Sequence, residues 1–177
     1  MRIAPFNATQ NEEVSALMVR CIRDMKKRDV QPGQDDDVFD LENYYHPQED
    51  SLLLVILSSV EREREKVVGT LGLKCKGIID GKKTGMLRRL YVEPEHRWAA
   101  LLPLFRAMRE HVIDHQFEKL QFIARRRMGS VFETYKCISE HLGMKEDSLD
   151  EESILFTWDL PESNAQLVRK LFTRHAK

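Results

Sequence analysis

The sequence has little cysteine and no long apolar run. Its three cysteines, Cys21, Cys75 and Cys137, are odd in number and form no CxxC pair, so reduced thiols are the simplest interpretation. No apolar run approaches the roughly 20 residues that a membrane span needs. The first residues, MRIAPFNATQ, lack the apolar core of a secretory signal. These absences predict a cytoplasmic protein with no membrane partner.

A strong charge imbalance is also missing. The formal net charge is −1, so the charge of the whole protein gives no reason to expect nucleic-acid binding. The 177 residues, 42% of them hydrophobic, suffice for one compact domain with a core and are few for two. We therefore predict a single domain over residues 1–160, followed by a tail or short helix at residues 161–177. A homodimer stays open.

The hydrophobic pattern changes repeatedly between strand and helix periods. Short runs rich in aliphatic residues predict strands, which are MRIAPF, SLLLVILSSV, VVGTLGLKCKG, MLRRLYV, KLQFIA and SILFTWDL. Apolar residues three and four positions apart predict helices, which are NATQNEEVSALMVRCIRDMKKR, LLPLFRAMREHVIDH and VFETYKCISEHLG, with a short one at DLENYYHP that ends at Pro47. This order predicts an α/β (α+β) protein whose mixed, mostly antiparallel central sheet carries helices on both faces.

The stretch RRLYVEPEHRWAALLPLFRAM reads as the end of a strand, a turn and the start of a helix. The turn, EPEHRWAA, contains one proline and no glycine. The first amides of a helix have no partner within the helix and point outward, and the helix dipole adds to their attraction for anions. The turn is therefore a candidate for binding phosphate groups.

The element order, the motif RRLYVEPEHR with its following helix, and ISEHLGMK before the last strand resemble the GCN5-related N-acetyltransferase (GNAT) superfamily. The resemblance extends from MRIAPF to about WDLP. It implies an acyl-CoA-dependent N-acyltransferase, with acetyl-CoA or a longer acyl-CoA as donor and no metal. The acyl group, expected to be acetyl, would move from the coenzyme A thioester to a primary amine of a small molecule or peptide by direct attack.

The same resemblance assigns the donor site. By position, Leu90, Tyr91 and Val92 hold the acyl end, and the phosphate loop comprises Arg97, Trp98, Ala99, Ala100, Leu101 and Leu102. The superfamily usually has glycine where Trp98, Ala100 and Leu102 stand, and glycine permits a close backbone approach. Amide donors do not depend on side chains, so the loop can still bind phosphate if Leu102 turns into the core. Pro103 is expected in the first turn of the helix.

The usual catalytic residues of the superfamily are missing. Its glutamate position falls near Met86 and its tyrosine position at Ser139. Tyr135, one helical turn before Ser139, is a candidate to reach the thioester sulfur, with a packed core tyrosine as the alternative. Ser139 is a candidate weak donor or water ligand. Glu93 is a candidate base, or only a solvated carboxylate at a turn.

The sequence gives less information about the residues that bind the acceptor. Tyr45 and His46 lie where members of the superfamily often close over the acceptor, and the resemblance assigns them to acceptor binding; a lone surface histidine is the alternative for His46. The aspartates 35–37 are expected to be solvated, with attraction of a cationic acceptor as the alternative.

Two further groups invite weaker hypotheses. His111 and His115 have a spacing that can bind zinc, but no HExxH glutamate or third ligand accompanies them, and a surface helix is the simpler interpretation. The run Arg125–Arg127 is either a solvated turn or a grip on the 3′-phosphate of coenzyme A.

Two other functions stay open. The apolar stretch WAALLPLF is compatible with a wider tunnel for a long acyl chain from acyl-CoA or an acyl carrier protein. The missing glutamate, tyrosine and glycines are compatible with a non-catalytic module that only binds acyl-CoA.

Overall fold

The computed structural model describes residues 1–46, 49–60, 64–129, 132–133, 135–136, 139–140 and 143–160. The side chains of Trp98 and Leu102 are outside this description. Pro47, Cys137 and the predicted tail at residues 161–177 lie outside the described residues as well.

Seven strands form one sheet in the described part of the chain, in the order β1-β2-β3-β4-β5-β7-β6. The strands are β1 (Arg2–Pro5), β2 (Leu52–Val60), β3 (Arg64–Ile79), β4 (Lys82–Val92), β5 (Lys119–Arg125), β6 (Lys145–Ser148) and β7 (Ser153–Asp159). β2 pairs antiparallel with β1 and β3, and β7 pairs antiparallel with β5 and β6. β4 and β5 pair in parallel. The predicted mixed, mostly antiparallel sheet is confirmed.

The described helices include α1 (Asn11–Lys26), α2 (Asp36–Phe39), α3 (Leu41–Tyr44) and α4 (Arg97–Asp114). Residues 132–133, 135–136 and 139–140 are also helical, where VFETYKCISEHLG predicts a helix. The short helix predicted at DLENYYHP corresponds to α3, and α2 precedes it as a second short helix that the sequence did not predict. Asp40 separates them, because its side chain accepts from the amide of Asn43 and so begins a new helix. None of the described helices is both long and apolar enough to cross a membrane.

The chain divides into two compact units. The first comprises Met1–Cys75 and Leu87–His115, and its core joins one face of α1 to alternate residues of β2, such as Leu53 and Val55. In the same unit α4 buries Ala100, Leu104, Met108 and Val112, which recur every four residues.

The second unit comprises Lys76–Met86 and the described part of Gln116–Lys177. Its core contains Ala124, Phe132, Ile154 and Phe156, and the rings of Phe122 and Phe156 stack with centroids 4.8 Å apart. The single domain predicted over residues 1–160 stays a prediction.

Three local features differ from the sequence prediction. β4 begins at Lys82, so KKTG belongs to the strand and not to the preceding turn. β6 was not predicted, because all its residues are exposed and none is apolar. α4 begins at Arg97, because a 3₁₀ turn at Pro94–His96 leads directly into it. Pro103 therefore lies inside the helix and not in its first turn, and it cannot donate to the carbonyl of Ala99.

Strands β3 and β4 approach closely at Gly69. A Cβ atom placed on Gly69 would lie 2.8 Å from the carbonyl oxygen of Tyr91 and 2.5 Å from Cδ1 of Ile56. The register between β2 and β3 also shifts here, between Ile56 and Leu57. Because a backbone atom of β4 blocks the space, only glycine fits without movement of that strand.

We expect Gly69→Ala to lower the free energy of unfolding by about 1–3 kcal/mol, since the added methyl overpacks the contact with Tyr91. Ser59→Ala, at an exposed position of β2, is the control and should change it by less than about 0.5 kcal/mol. Urea denaturation measures both. A Gly69→Ala protein as stable as the wild type would contradict the close approach.

Candidate functional site

The turn between β4 and α4 leaves helix amides without partners inside the helix. The amide of His96 donates to Glu93 (3.0 Å), and that of Arg97 donates to Pro94. The amides of Trp98 and Ala99 follow in the first turn of α4, where no carbonyl of the helix can accept from them. No side chain caps α4, and its first turn carries no acidic residue. The turn can therefore attract an anion through its amides and the helix dipole.

The side chains of this turn face different surroundings. Arg97 and Ala99 are exposed, Leu101 is half-buried, and Ala100 is completely buried. The alanine thus occupies the core-facing position of the first turn. The side chains of Trp98 and Leu102, on which the predicted phosphate loop also depends, lie outside the described part of the structure.

Two hydrogen bonds hold the end of β4 to β3. The amide of Glu93 donates to the carbonyl of Val68 (2.9 Å). The hydroxyl of Thr70 donates to the carbonyl of Arg89 (2.8 Å). Leu90 and Val92 are half-buried, whereas the ring of Tyr91 lies in the core of the first unit. The strand predicted to hold the acyl end is therefore anchored on one side.

Arg89 occupies an unusual position in β4. Its φ is +53°, a left-handed conformation that is rare for a residue with a side chain. The residue is only 7% exposed. Its guanidinium donates to both oxygens of Asp37, with Nε 2.7 Å from Oδ2, and to Oδ1 of Asp35 at 3.0 Å. The irregular backbone of β4 thus coincides with a buried, charge-assisted network.

The aspartates at 35 and 37 are not solvated, so this sequence expectation is wrong. Both are 0% exposed; only Asp36 between them is exposed, and it accepts from the amide of Gly33. Asp35 also accepts from Arg28. The partner Arg89 lies 52 residues from Asp37 in sequence, so the pairing cannot be read from local pattern.

The network keeps its groups charged. Burial raises the pKa of Asp37, but the hydrogen bonds and charge of Arg89, with smaller contributions from Arg88 and Tyr45, outweigh burial and hold the pKa below its ordinary value. Burial lowers the pKa of Arg89, but the hydrogen bonds and charges of Asp37 and Tyr91 together raise it further than burial lowers it. Both groups are therefore ionised at neutral pH.

The residues predicted on the acceptor side have distinct surroundings. Tyr45 is buried, and its hydroxyl donates to Asp37 at 2.8 Å, so it supports the ion pairs from within. His46 is half-buried. Their role in acceptor binding stays a prediction.

Sequence reasoning missed the neighbouring Tyr44, Lys74 and Arg88. Lys74 Nζ lies 5.1 Å and Arg88 Cζ 5.2 Å from the centroid of the Tyr44 ring. Arg88 also donates to the Tyr44 hydroxyl, and Lys74 donates to the Tyr44 carbonyl at 2.9 Å. Of these three residues, only Arg88 lies in the motif RRLYVEPEHR. Nothing in the sequence indicated that it would contact Tyr44.

The catalytic candidates are all engaged with other residues. Glu93, in the first unit, is ion-paired with Arg20 (2.7 Å) and Lys66 (3.0 Å). In the second unit, the ring of Tyr135 packs against Phe122. Their catalytic roles stay predictions.

Ser139 and Met86 also belong to the second unit. Ser139 is buried, with its hydroxyl 2.7 Å from a carboxylate oxygen of Glu146 and 2.8 Å from the carbonyl of Lys136. Met86 lies in β4 opposite Gln121. The role predicted for Ser139 is untested.

The two helical histidines share one partner. The rings of His111 and His115 lie 4.1 Å apart, and both ring systems contact Asp50. Burial lowers the pKa of His111. Among the described residues, the only group of three potential metal ligands is instead Glu93, Glu95 and His96, and Glu93 already pairs with two cations.

The arginine run at residues 125–127 also has partners. The guanidinium of Arg126 lies over the ring of Phe132 at 5.8 Å. Arg127 is 3.9 Å from Glu152. Contact with the 3′-phosphate of coenzyme A stays a hypothesis for these residues.

We expect Asp37→Asn to destabilise the protein by about 3–5 kcal/mol at pH 7, because Arg89 would keep a buried charge with one carboxylate fewer. Since the pKa of Asp37 is lowered in the folded protein, its contribution is present above its ordinary pKa of 3.8 and is lost as the pH falls through the lower folded value. The difference between wild type and Asp37→Asn should therefore shrink below about pH 4.

The control for this experiment is the adjacent, exposed Asp36→Asn, which should change stability by less than about 0.5 kcal/mol. Urea denaturation over a pH series measures all three proteins. Equal effects of the two substitutions at pH 7 would refute the buried network.

No sequence model of a known family matches the chain, and no curated protein has significant sequence similarity to it. Solved structures are similar. A GNAT acetyltransferase from Staphylococcus aureus has a TM-score of 0.69 at 13% identity, over 90% of this chain and 99% of that one. The PaiA N-acetyltransferase from Thermoplasma acidophilum, solved in complex with coenzyme A, has a TM-score of 0.63 at 15% sequence identity. The similarity covers 90% of this chain and 99% of that one.

A third similar structure is an N-acyl amino acid synthase from uncultured soil microbes, with a TM-score of 0.64 at 10% identity over 97% of this chain and 98% of that one. At such low identity the likeness concerns the fold. The GNAT-like fold predicted from the sequence is confirmed, and the chain has the fold of the GNAT acetyltransferases.

Proposed function

We propose that this protein is an acyl-CoA-dependent N-acyltransferase that moves an acetyl group from acetyl-CoA to a primary amine. The observation that carries the proposal is the start of α4, where the first amides of the helix follow β4 after one 3₁₀ turn in a GNAT fold, with no capping side chain or acidic residue in the first turn. Such amides suit the diphosphate of coenzyme A. The coenzyme A bound to the Thermoplasma relative supports this donor.

The donor site is proposed to run along β4 into α4. Backbone groups of Leu90, Tyr91 and Val92 would receive the acyl end, and the turn from Arg97 to Leu102 would bind the phosphates through the amides of Trp98 and Ala99. The exposed Arg97 and Ala99 leave the turn open to a ligand. Loss of the usual glycines is tolerable because the donors are backbone groups, and Ala100, turned into the core, keeps its side chain away from the ligand.

The reaction is a direct acyl transfer. The amine nitrogen bonds to the thioester carbon, the carbon–sulfur bond breaks, the amine loses a proton and the leaving thiolate gains one. An amine with an ordinary pKa of about 10.4 is mostly protonated at pH 7, so a base is needed. Glu93 is proposed as that base and Tyr135 as the donor to sulfur, with Ser139 as a weaker donor; each such group contributes about 10²–10⁴-fold.

The setting of the reaction is part of the proposal. The acceptor is a small molecule or peptide amine, the location is the cytoplasm, and neither nucleic acid nor a membrane is a partner.

We expect Ala99→Glu to weaken acetyl-CoA binding at least about 10-fold, because it sets a carboxylate beside the phosphates. The folded protein should lose no stability, since a glutamate in the first turn of a helix interacts favourably with the dipole. Ala8→Glu, also at an exposed position, adds the same charge elsewhere and should bind like wild type. Isothermal titration calorimetry measures affinity. Absence of heat and of any thermal shift with wild type at millimolar acetyl-CoA would refute the donor.

We also expect acetyl-CoA to be preferred over octanoyl-CoA and longer donors in kcat/KM. A donor series with a mixture of primary amines, followed by thiol release, measures this. Preference for octanoyl or longer chains would assign the protein to the long-chain class. Binding of acetyl-CoA with no turnover on any amine would leave only the non-catalytic module.

A further inference from the structure

The half-buried surface formed by Tyr44, Lys74 and Arg88 is called here the Tyr44 face. We propose that the Tyr44 face binds a carboxylate of the acceptor, so that the acceptor is an amine that also carries a carboxylate, such as an amino acid. The inference rests on the proposed function for the identity of the acceptor.

The Tyr44 face brings two cations to one ring. Lys74 comes from β3 and Arg88 from β4, yet both lie within 5.2 Å of the centroid of the Tyr44 ring. Their side chains are 21% and 29% exposed, so solvent or a ligand reaches both. Two like charges around one ring repel each other, and an anion beside them relieves that repulsion.

The carboxylates already in contact with these cations leave room for another. Asp37 is 3.7 Å from Arg88 and is occupied by Arg89 and Tyr45. Arg88 itself donates to Tyr44 and, at 3.4 Å, to the carbonyl of Gln34. A guanidinium has five N–H donors, so these contacts do not exhaust it.

Glu49 shows that the Tyr44 face accepts a carboxylate. It binds Lys74 at 2.5 Å, and its pKa is lowered first by the hydrogen bond and charge of Lys74, with a smaller effect of His46. Its side chain is 60% exposed, and exposed ion pairs of this kind are held only weakly. An acceptor carboxylate can therefore compete with Glu49 for Lys74.

The position of Arg88 in β4 places the Tyr44 face near the residues proposed to receive the acyl end. Arg88 is two residues before Leu90, the first residue proposed to receive the acyl end, and two strand residues span at most about 7 Å. An arginine side chain covers much of that distance. A small molecule whose carboxylate and amine are separated by a few bonds can thus be bound at Arg88 while its amine meets the thioester.

The buried network argues against the opposite acceptor class. Asp35 and Asp37, which the sequence offered as attractors for a cation, are fully buried and paired with Arg28 and Arg89. The cations that reach the surface of the Tyr44 face are Lys74 and Arg88. The acceptor group that complements them is an anion.

The test compares amino acids with their matching amides as acceptors for acetyl-CoA. We expect wild type to prefer the free carboxylates by at least about 10-fold in kcat/KM. Arg88→Met and Lys74→Met should each raise KM for the acids by about 10-fold and leave the amides nearly unchanged, whereas Arg88→Lys should restore part of the loss. Arg23→Met, at a largely exposed ion pair of α1, is the control.

Glu49→Gln is expected to improve the use of the acids as acceptors, and a misfolded protein would not show such an improvement. Removing the competing carboxylate should lower KM for the acids by about two- to five-fold, with no change for the amides. Equal use of acids and amides by wild type, or an unchanged KM for the acids in both Arg88→Met and Glu49→Gln, would overturn the inference.

Binding measured without a donor separates this inference from the proposed function. Ligand-observed NMR with the same acids and amides reports carboxylate-dependent binding in wild type and its loss in Arg88→Met. If that binding is seen but no acyl transfer occurs, the Tyr44 face stands and the proposed reaction fails. If transfer occurs without any carboxylate preference, the proposed function stands and the Tyr44 face fails.

Discussion

The buried pairing of Arg89 with Asp35 and Asp37 is the interaction on which the first unit depends. Three charged groups lie almost completely out of solvent, and such burial is tolerable only when every charge has its partners. Arg28 and Tyr45 complete the set on the carboxylate side. The segment that carries α2 and α3 and the end of β4 must therefore form together, because either one alone would bury unpaired charge.

This pairing determines the path of β4 just before the proposed donor site. Arg89 has a left-handed backbone, and Thr70 holds its carbonyl from β3. Gly69 lets β3 approach Tyr91, so the strand is constrained on two sides before the 3₁₀ turn directs it into α4. The first amides of α4 thus have a defined position relative to the backbone of β4, which is what binding both ends of a long donor requires.

The same pairing also decides which charges remain outside. The carboxylates at 35 and 37 pair with Arg28 and Arg89 inside the unit, and Asp37 approaches Arg88 of the Tyr44 face only to 3.7 Å. Among the residues that the structure describes, Glu49 provides the exposed carboxylate that accepts a hydrogen bond from Lys74. The stability of the unit and the proposed acceptor specificity are therefore linked. The aspartates that pair with Arg89 are unavailable to an acceptor, and Arg88, the neighbour of Arg89 in β4, is the residue proposed to bind the acceptor carboxylate.

The sequence by itself determined the type and order of most elements, because strand and helix periods are local properties of a few residues. It also determined the order strand, turn and helix at RRLYVEPEHR, whereas the start of α4 at Arg97 was found only in the structure. Only the tertiary structure decided what surrounds that turn. Arg89, the partner of Asp37, is 52 residues away in sequence. The exposed strand β6 has no apolar pattern, and it forms by pairing with the edge of β7. The position of Pro103 inside α4 follows from the preceding 3₁₀ turn. Each of these depends on contacts between distant segments, which no local pattern of hydrophobicity or charge encodes.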